Sequence, residues 1–150
     1  MPYSLFKFFH VGSMFLATAL AIGPAVLLYL VARTGSAETI RRTFAHTTLI
    51  FRAGAAFYGL GLLFGFVTAA SGSLSLTTPW LVTSYLLVVL LIAVNFSYER
   101  WTHRVEDALD DESGSRLAKA KGSRAPVLAL AGMTTVTLLL VFVMVVKPTL

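Results

Sequence analysis

The chain contains no cysteine. Disulfides, thiolate metal sites and cysteine nucleophiles are excluded, and cysteine usage gives no signal of compartment. Charge is also scarce. Charged residues make up 13% of the chain, against about 25% in an ordinary soluble domain. No aspartate or glutamate falls inside any long apolar run. That argues against a proton pump or proton-coupled transporter, which normally works through an intramembrane carboxylate. The interrupted helices and inverted repeats of secondary transporters are missing. So are a Ser-His-Asp arrangement, a carboxylate pair and a glycine-rich phosphate loop.

What is present is hydrophobic sequence, 57% of all residues, with a mean hydropathy of +0.80. It is concentrated in four runs, at 8–32, 47–70, 80–98 and 125–146. A helix needs about 20 apolar residues to cross a bilayer core. A span in lipid must satisfy its own backbone hydrogen bonds, and four strands are too few to close a barrel. The expected fold is all-α, an antiparallel four-helix transmembrane bundle forming one domain over 1–150. Little chain remains for a soluble catalytic unit. The first run is longer than the roughly 7–15 apolar residues of a signal peptide. It reads as a retained helix.

Basic residues are placed unevenly. Arg33, Arg41 and Arg42 fall in the first connection (33–46), and Arg100, Arg104, Arg116, Lys119, Lys121 and Arg124 in the third (99–124). The second connection has no charge, and the two tails offer only Lys7 and Lys147. Because cytoplasmic loops collect Lys and Arg, connections one and three are expected in the cytoplasm and both termini outside the cell (inner) membrane. The net charge of +5 is thus a topology signal and an attraction for anionic lipid. With no aromatic-and-basic platform, nucleic acid is not an expected partner. The expected partners are the lipid bilayer and other membrane protein subunits.

The connections carry further expectations. Ile40, Phe44 and Thr47 stand at helical spacing, so the second helix should begin before its apolar run. The third should continue past Tyr98 through 99–109, and the stretch 110–115 around Gly114 should break it. The stretch 99–124, rich in both signs of charge, reads as a solvated hairpin.

Small residues mark where helices approach closely. Gly54, Gly61 and Gly65 share one stripe of the second span. His10, Ser13, Met14, Ala17, Ala21 and Pro24 share one on the first, where Gly23-Pro24 should introduce a kink. Ser84, Asn95, Tyr98 and Thr102 align on the third span, and Met133, Thr137 and Met144 on the fourth. These stripes are expected to face the bundle interior, within one chain.

His10 is the strongest candidate for chemistry. It lies just inside the outer end of the first span on the small-residue face, where a polar group needs a partner. It is expected to point into the bundle with the fourth span as a neighbour. One reading is a histidine hydrogen-bonded to another helix. The other is a ligand to haem b, with Met144 as co-ligand, or to copper with Met14 and Met144, since His/Met sets suit haem iron and copper(I). His46 and His103 lie at the opposite end of the spans, over 30 Å away at about 1.5 Å per residue. Arg52, a few residues inside the second span, is expected either to snorkel or to clamp to Asn95 or Glu99.

Three short motifs carry a resemblance. Phe8-Phe9-His10-Val11-Gly12, Pro79-Trp80-Leu81 opening the third span, and the ending Phe142-Val143-Met144-Val145-Val146-Lys147-Pro148 resemble the DUF2269 family of predicted prokaryotic integral membrane proteins along essentially the whole chain. That family has no established activity. Lys7-Phe8-Phe9-His10 is similar, more remotely, to the Lys-x-x-His of four-helix proteins of the CopD copper-resistance type and the HemJ protoporphyrinogen oxidase type. The HemJ likeness implies haem with His10 as its ligand, although no Trp-x-x-Gly-Leu-x-Tyr-like stretch follows. The leading expectation is a non-enzymatic or accessory subunit of a membrane complex. The alternatives are a haem-binding redox protein and a copper-handling or transport protein.

Overall fold

Proline at the second residue starts the first helix, where its missing N–H is no loss and its fixed φ suits a first turn. The computed structural model describes residues 2–111 and 114–148. It contains α1 (Pro2–Thr34), α2 (Ala37–Ser71), α3 (Pro79–Asp107), α4 (Ser115–Gly122) and α5 (Ala125–Val146), with a 3-10 turn at Ala108–Asp110 after α3. No strand occurs among the described residues. Four of the helices are long and apolar enough to cross a membrane, and α4 joins α5 as the polar lead-in of the fourth. By length and composition the chain is built as a multi-pass membrane protein.

The helix ends follow local chemistry. Ser36 caps α2, its side chain accepting from the Thr39 N–H at 3.3 Å. Pro79 opens α3 as Pro126 helps to open α5. Gly114 has φ +67, a left-handed conformation that favours glycine, and stands at the N-cap of α4. Glu112 and Ser113, part of the expected break over 110–115, lie outside the described residues. Lys147 adopts φ 47 and ends α5, its N–H bonded to Val143 O, with Pro148 behind it. Pro24 stands inside α1, which remains helical through it.

The helices outrun their apolar cores. α1 and α2, of 33 and 35 residues, reach about 50 Å at 1.5 Å per residue. A bilayer core is only about 30 Å thick. The early start of α2 is as expected, with Ile40, Phe44 and Thr47 all buried. So is the continuation of α3. The short helix α4 was not foreseen within the polar connection.

α1 packs along α2, and α3 along α5; the two hairpins meet chiefly where α1 faces α5. One core runs through Ala25, Leu28, Ile40, Phe44, Leu91, Tyr98, Trp101, Met133 and Leu140. The buried face of α1 is small-residue throughout its N-terminal half, Ser13, Ala17 and Ala21. The opposite faces expose Phe8, Phe15, Leu49, Leu86, Leu128 and Val145, each 67% accessible or more. In water an apolar surface of this extent would drive association; a bilayer solvates it.

Both ends carry belts of aromatic and basic side chains. At the end that holds the termini, Lys147 Nζ lies 5.4 Å from the centre of the Trp80 ring, Lys7 Nζ 6.0 Å from that of Tyr3, and Phe66 stacks on Tyr85. At the other, charged end the Arg33 guanidinium lies 5.7 Å from the Tyr29 ring centre. Amphipathic rings favour the headgroup level of a bilayer.

Candidate functional site

His10 is held by α2. Its Nδ1 lies 2.6 Å from the Gly61 carbonyl oxygen. A carbonyl only accepts, so Nδ1 carries the proton and donates. The contact depends on two glycines. A Cβ placed on Gly65 would sit 3.0 Å from the ring's Cε1 and Nδ1, and one on Gly61 would sit 2.5 Å from Met14 Sδ. Gly54 receives Leu20 and the Ala17 carbonyl in the same manner. The glycine stripe of α2 is therefore a groove, and the small-residue stripe of α1 lies in it. Phe9 stacks on Phe64 beside the site, ring centres 5.3 Å apart.

The fourth span is the neighbour the sequence leads one to expect for His10; the contacts seen to hold it are to α2. The hydrogen bond to Gly61 O and the close approach of the ring to Gly65 are both made to α2. The reason is geometric. Only Gly35 and Ser36 separate α1 from α2, and the glycines let the two close along their length, while α5 finds its main partner in α3. Met14 does lie at the site, its sulfur against Gly61. Met144 is half-buried on α5 and makes no hydrogen bond to His10 among the described residues. Of the expected His10, Met14 and Met144 set, His10 and Met14 both face Gly61. No group of three or more His, Asp or Glu side chains able to hold a metal ion exists among the described residues.

As a haem site, the arrangement offers one nitrogen. A proton on Nδ1 leaves Nε2 with a lone pair, the form in which a ligating histidine is commonly oriented by a backbone carbonyl. The chemistry of the donor therefore fits a single axial ligand. It does not supply a second.

The remaining polar candidates resolve locally. His46 and His103 are both exposed. His103 faces Glu106 at 3.3 Å and Glu99 at 3.9 Å on its own helix. Arg52 is exposed on α2, and the clamp to α3 does not form. Asn95 turns its Nδ2 back to Leu91 O, and Glu99 is beside His103. Arg52 is placed to snorkel along apolar surface instead. At the charged end Asp110 bonds Arg41 at 2.8 Å, which raises the guanidinium pKa above its ordinary value and leaves it fully charged. Thr137 Oγ1 is buried without a hydrogen-bond partner among the described residues.

A second polar constellation carries more of the fold than the sequence showed. Tyr98 donates its hydroxyl to Ala25 O at 2.6 Å, tying α3 to α1. Trp101 is 1% exposed and donates Nε1–H to Ala120 O at 3.1 Å, tying α3 to α4. Arg33 donates to Lys121 O and Lys121 to Gly35 O, both at 3.1 Å. The signal for these contacts was the spacing of Tyr98, Trp101, Val105 and Ala108, one helical face hidden among charged residues.

Compared with known proteins, the chain matches no family model, no curated protein and no solved structure.

Proposed function

We propose that the chain is a non-enzymatic, accessory subunit of a membrane complex in the cell (inner) membrane, its charged end in the cytoplasm and both termini outside. The observation that carries this reading is the use made of His10. The one ionisable side chain on the α1 packing stripe near the outer end joins α1 to α2 through the Gly61 carbonyl, as a structural histidine does. The apolar outer faces of all four long helices offer lateral surface to lipid and to neighbouring subunits. The uneven Lys/Arg distribution supports the orientation, and the quoted motifs favour kinship with the DUF2269 family. Mild solubilisation of native membranes with a tagged chain should recover stoichiometric membrane partners; a chain recovered only by itself rejects the accessory role. Reporter fusions test the orientation separately. A periplasm-dependent reporter should be active at Leu150 and silent when inserted at Gly114. The reverse pattern inverts the topology.

A second reading, a haem protein, is favoured by one feature, the Nδ1–H donation that frees Nε2. An absorption spectrum of the purified chain separates the two. The structural reading expects no Soret band, and a loss of about 0.6–1.7 kcal/mol of stability in His10→Ala, the range of interhelical hydrogen bonds in membranes. A Soret band in the wild type that disappears in His10→Ala establishes the haem reading instead. Metal analysis of the same preparation tests copper.

A further inference from the structure

Beside Trp101, at the charged end, α3 and α4 enclose a cleft of about 620 Å³. Arg104 and Asp107 line it from α3, Arg116 and Lys119 from α4, with Trp101 and Ala120 beneath. Three cations thus border one hollow. Among the described residues none of the three has a carboxylate within ion-pair distance, whereas two arginines of α2 do: Arg41 pairs with Asp110 and Arg42 with Glu38. Two other neighbouring carboxylates, Glu99 and Glu106, face His103. The lining includes one acid against three bases, so the cleft keeps a net positive charge.

Its walls are fixed in advance. Trp101 Nε1 bonds Ala120 O across the base. Asp111 Oδ2 accepts the Arg116 N–H at 2.9 Å and holds the start of α4. Lys121 and Arg33 fasten the end of α4 to the α1–α2 connection. A site that needs no ordering on binding loses less of its interaction energy. We propose that this cleft binds the phosphate-bearing headgroup of an anionic phospholipid.

Position selects a lipid over a soluble anion. The cleft opens just beyond the apolar run of α3, the depth at which headgroups lie beside a spanning helix. Its aromatic floor adjoins apolar surface. The Trp101 ring is 6.4 Å from that of Tyr29. Tyr29 in turn borders a crevice of about 460 Å³ between α1 and α5, lined by Val26, Val127, Leu130, Ala131 and Thr134. A headgroup held by the cations therefore has apolar surface close by for its chains. The proposal rests on the reading that the charged end lies at a membrane surface, but not on which side that surface faces.

The test uses the full chain in phosphatidylcholine nanodiscs, with phosphatidylglycerol added and bound lipid counted by native mass spectrometry. Because the nanodisc exposes both faces, an inverted topology leaves the result unchanged, and a chain that fails to enter the disc at all rejects the membrane reading rather than the site. Wild type should retain phosphatidylglycerol over phosphatidylcholine. The variant R104Q/R116Q/K119Q should bind it at least ~10-fold more weakly, since each basic side chain near an anionic surface contributes appreciably. The control R100Q/R124Q, which removes two cations outside the cleft, should bind as wild type does; its melting temperature and that of the triple variant in phosphatidylcholine alone show that both are folded. Equal losses in both variants, or no preference in wild type, overturn the proposal. So does binding of inorganic phosphate that competes with phosphatidylglycerol and is lost in the triple variant, which would make the cleft a soluble-anion site.

Discussion

Trp101→Ala is expected to be the most destabilising single substitution at the charged end, by about 3–5 kcal/mol. The indole is almost wholly enclosed. Its ring lies 5.3 Å from that of Tyr98, tilted at 55°, and belongs to the core that contains Leu28, Ile40, Phe44 and Val105. Truncation leaves a cavity where α1, α2 and α3 meet, and rigid helix backbones close such a space only partly. It also removes the N–H that holds Ala120. Trp101→Phe separates the two effects, because it keeps most of the packing and loses only the hydrogen bond, at a cost nearer 1 kcal/mol. Denaturant titration in detergent micelles measures both. Limited proteolysis near Gly114 should accelerate in each variant, since α4 loses its bond to α3. A Trp101→Ala chain within about 1 kcal/mol of wild type would mean that the indole is not in the core.

That prediction could not have been made from the sequence, and the reason is instructive beside one that could. Ile40, Phe44 and Thr47 stand in a stretch with few apolar competitors, so their helical spacing reads as a buried face, and they are buried. Tyr98, Trp101, Val105 and Ala108 have the same kind of spacing. But Glu99, Arg100, Thr102, His103 and Arg104 lie between them, and the whole stretch reads as solvated. Both patterns arise from one helix with one dry face; what differs is how strongly the wet face announces itself. Span number and helical class were legible because lipid imposes length and apolarity on each helix separately. Which helices pair is another matter. Gly61 and Gly65 announced a close approach, and the close approach is there. Their partner depended on the two-residue link between α1 and α2, which lays the His10 and Met14 face of α1 in the glycine groove. Nor could charge counting distinguish paired cations from free ones. Arg41 and Arg116 look alike in the sequence, yet the turn at Ala108–Asp110 presents Asp110 to Arg41, while Arg116 opens into the cleft.

Gly61→Leu should be the most damaging change between the long helices, and its compensation is the sharper test of the α1–α2 interface. A Cβ at Gly61 would meet Met14 Sδ at 2.5 Å, Cγ at 2.9 Å and the Met14 backbone nitrogen at 3.5 Å. Methionine is flexible and its end can move aside for one methyl group. Gly61→Ala should therefore cost little more than the displaced packing. A leucine reaches past the side chain to the α1 backbone and pushes the helices apart. Overpacking costs about 1–3 kcal/mol, and separation also breaks the bond from His10 to Gly61 O, for about 0.6–1.7 kcal/mol more. Thermal melting in detergent should fall clearly for Gly61→Leu; an unchanged midpoint would place the glycine stripe against lipid. The cycle that adds Met14→Ala decides the atomic contact. If Met14 is what a new Cβ strikes, the loss in Gly61→Ala should largely vanish in the Met14→Ala background, with a coupling of about 0.5–3 kcal/mol, as found for residues in direct contact. Losses that simply add would show that Gly61 and Met14 do not touch. His10 would then be fastened to α2 without the groove that brings it there.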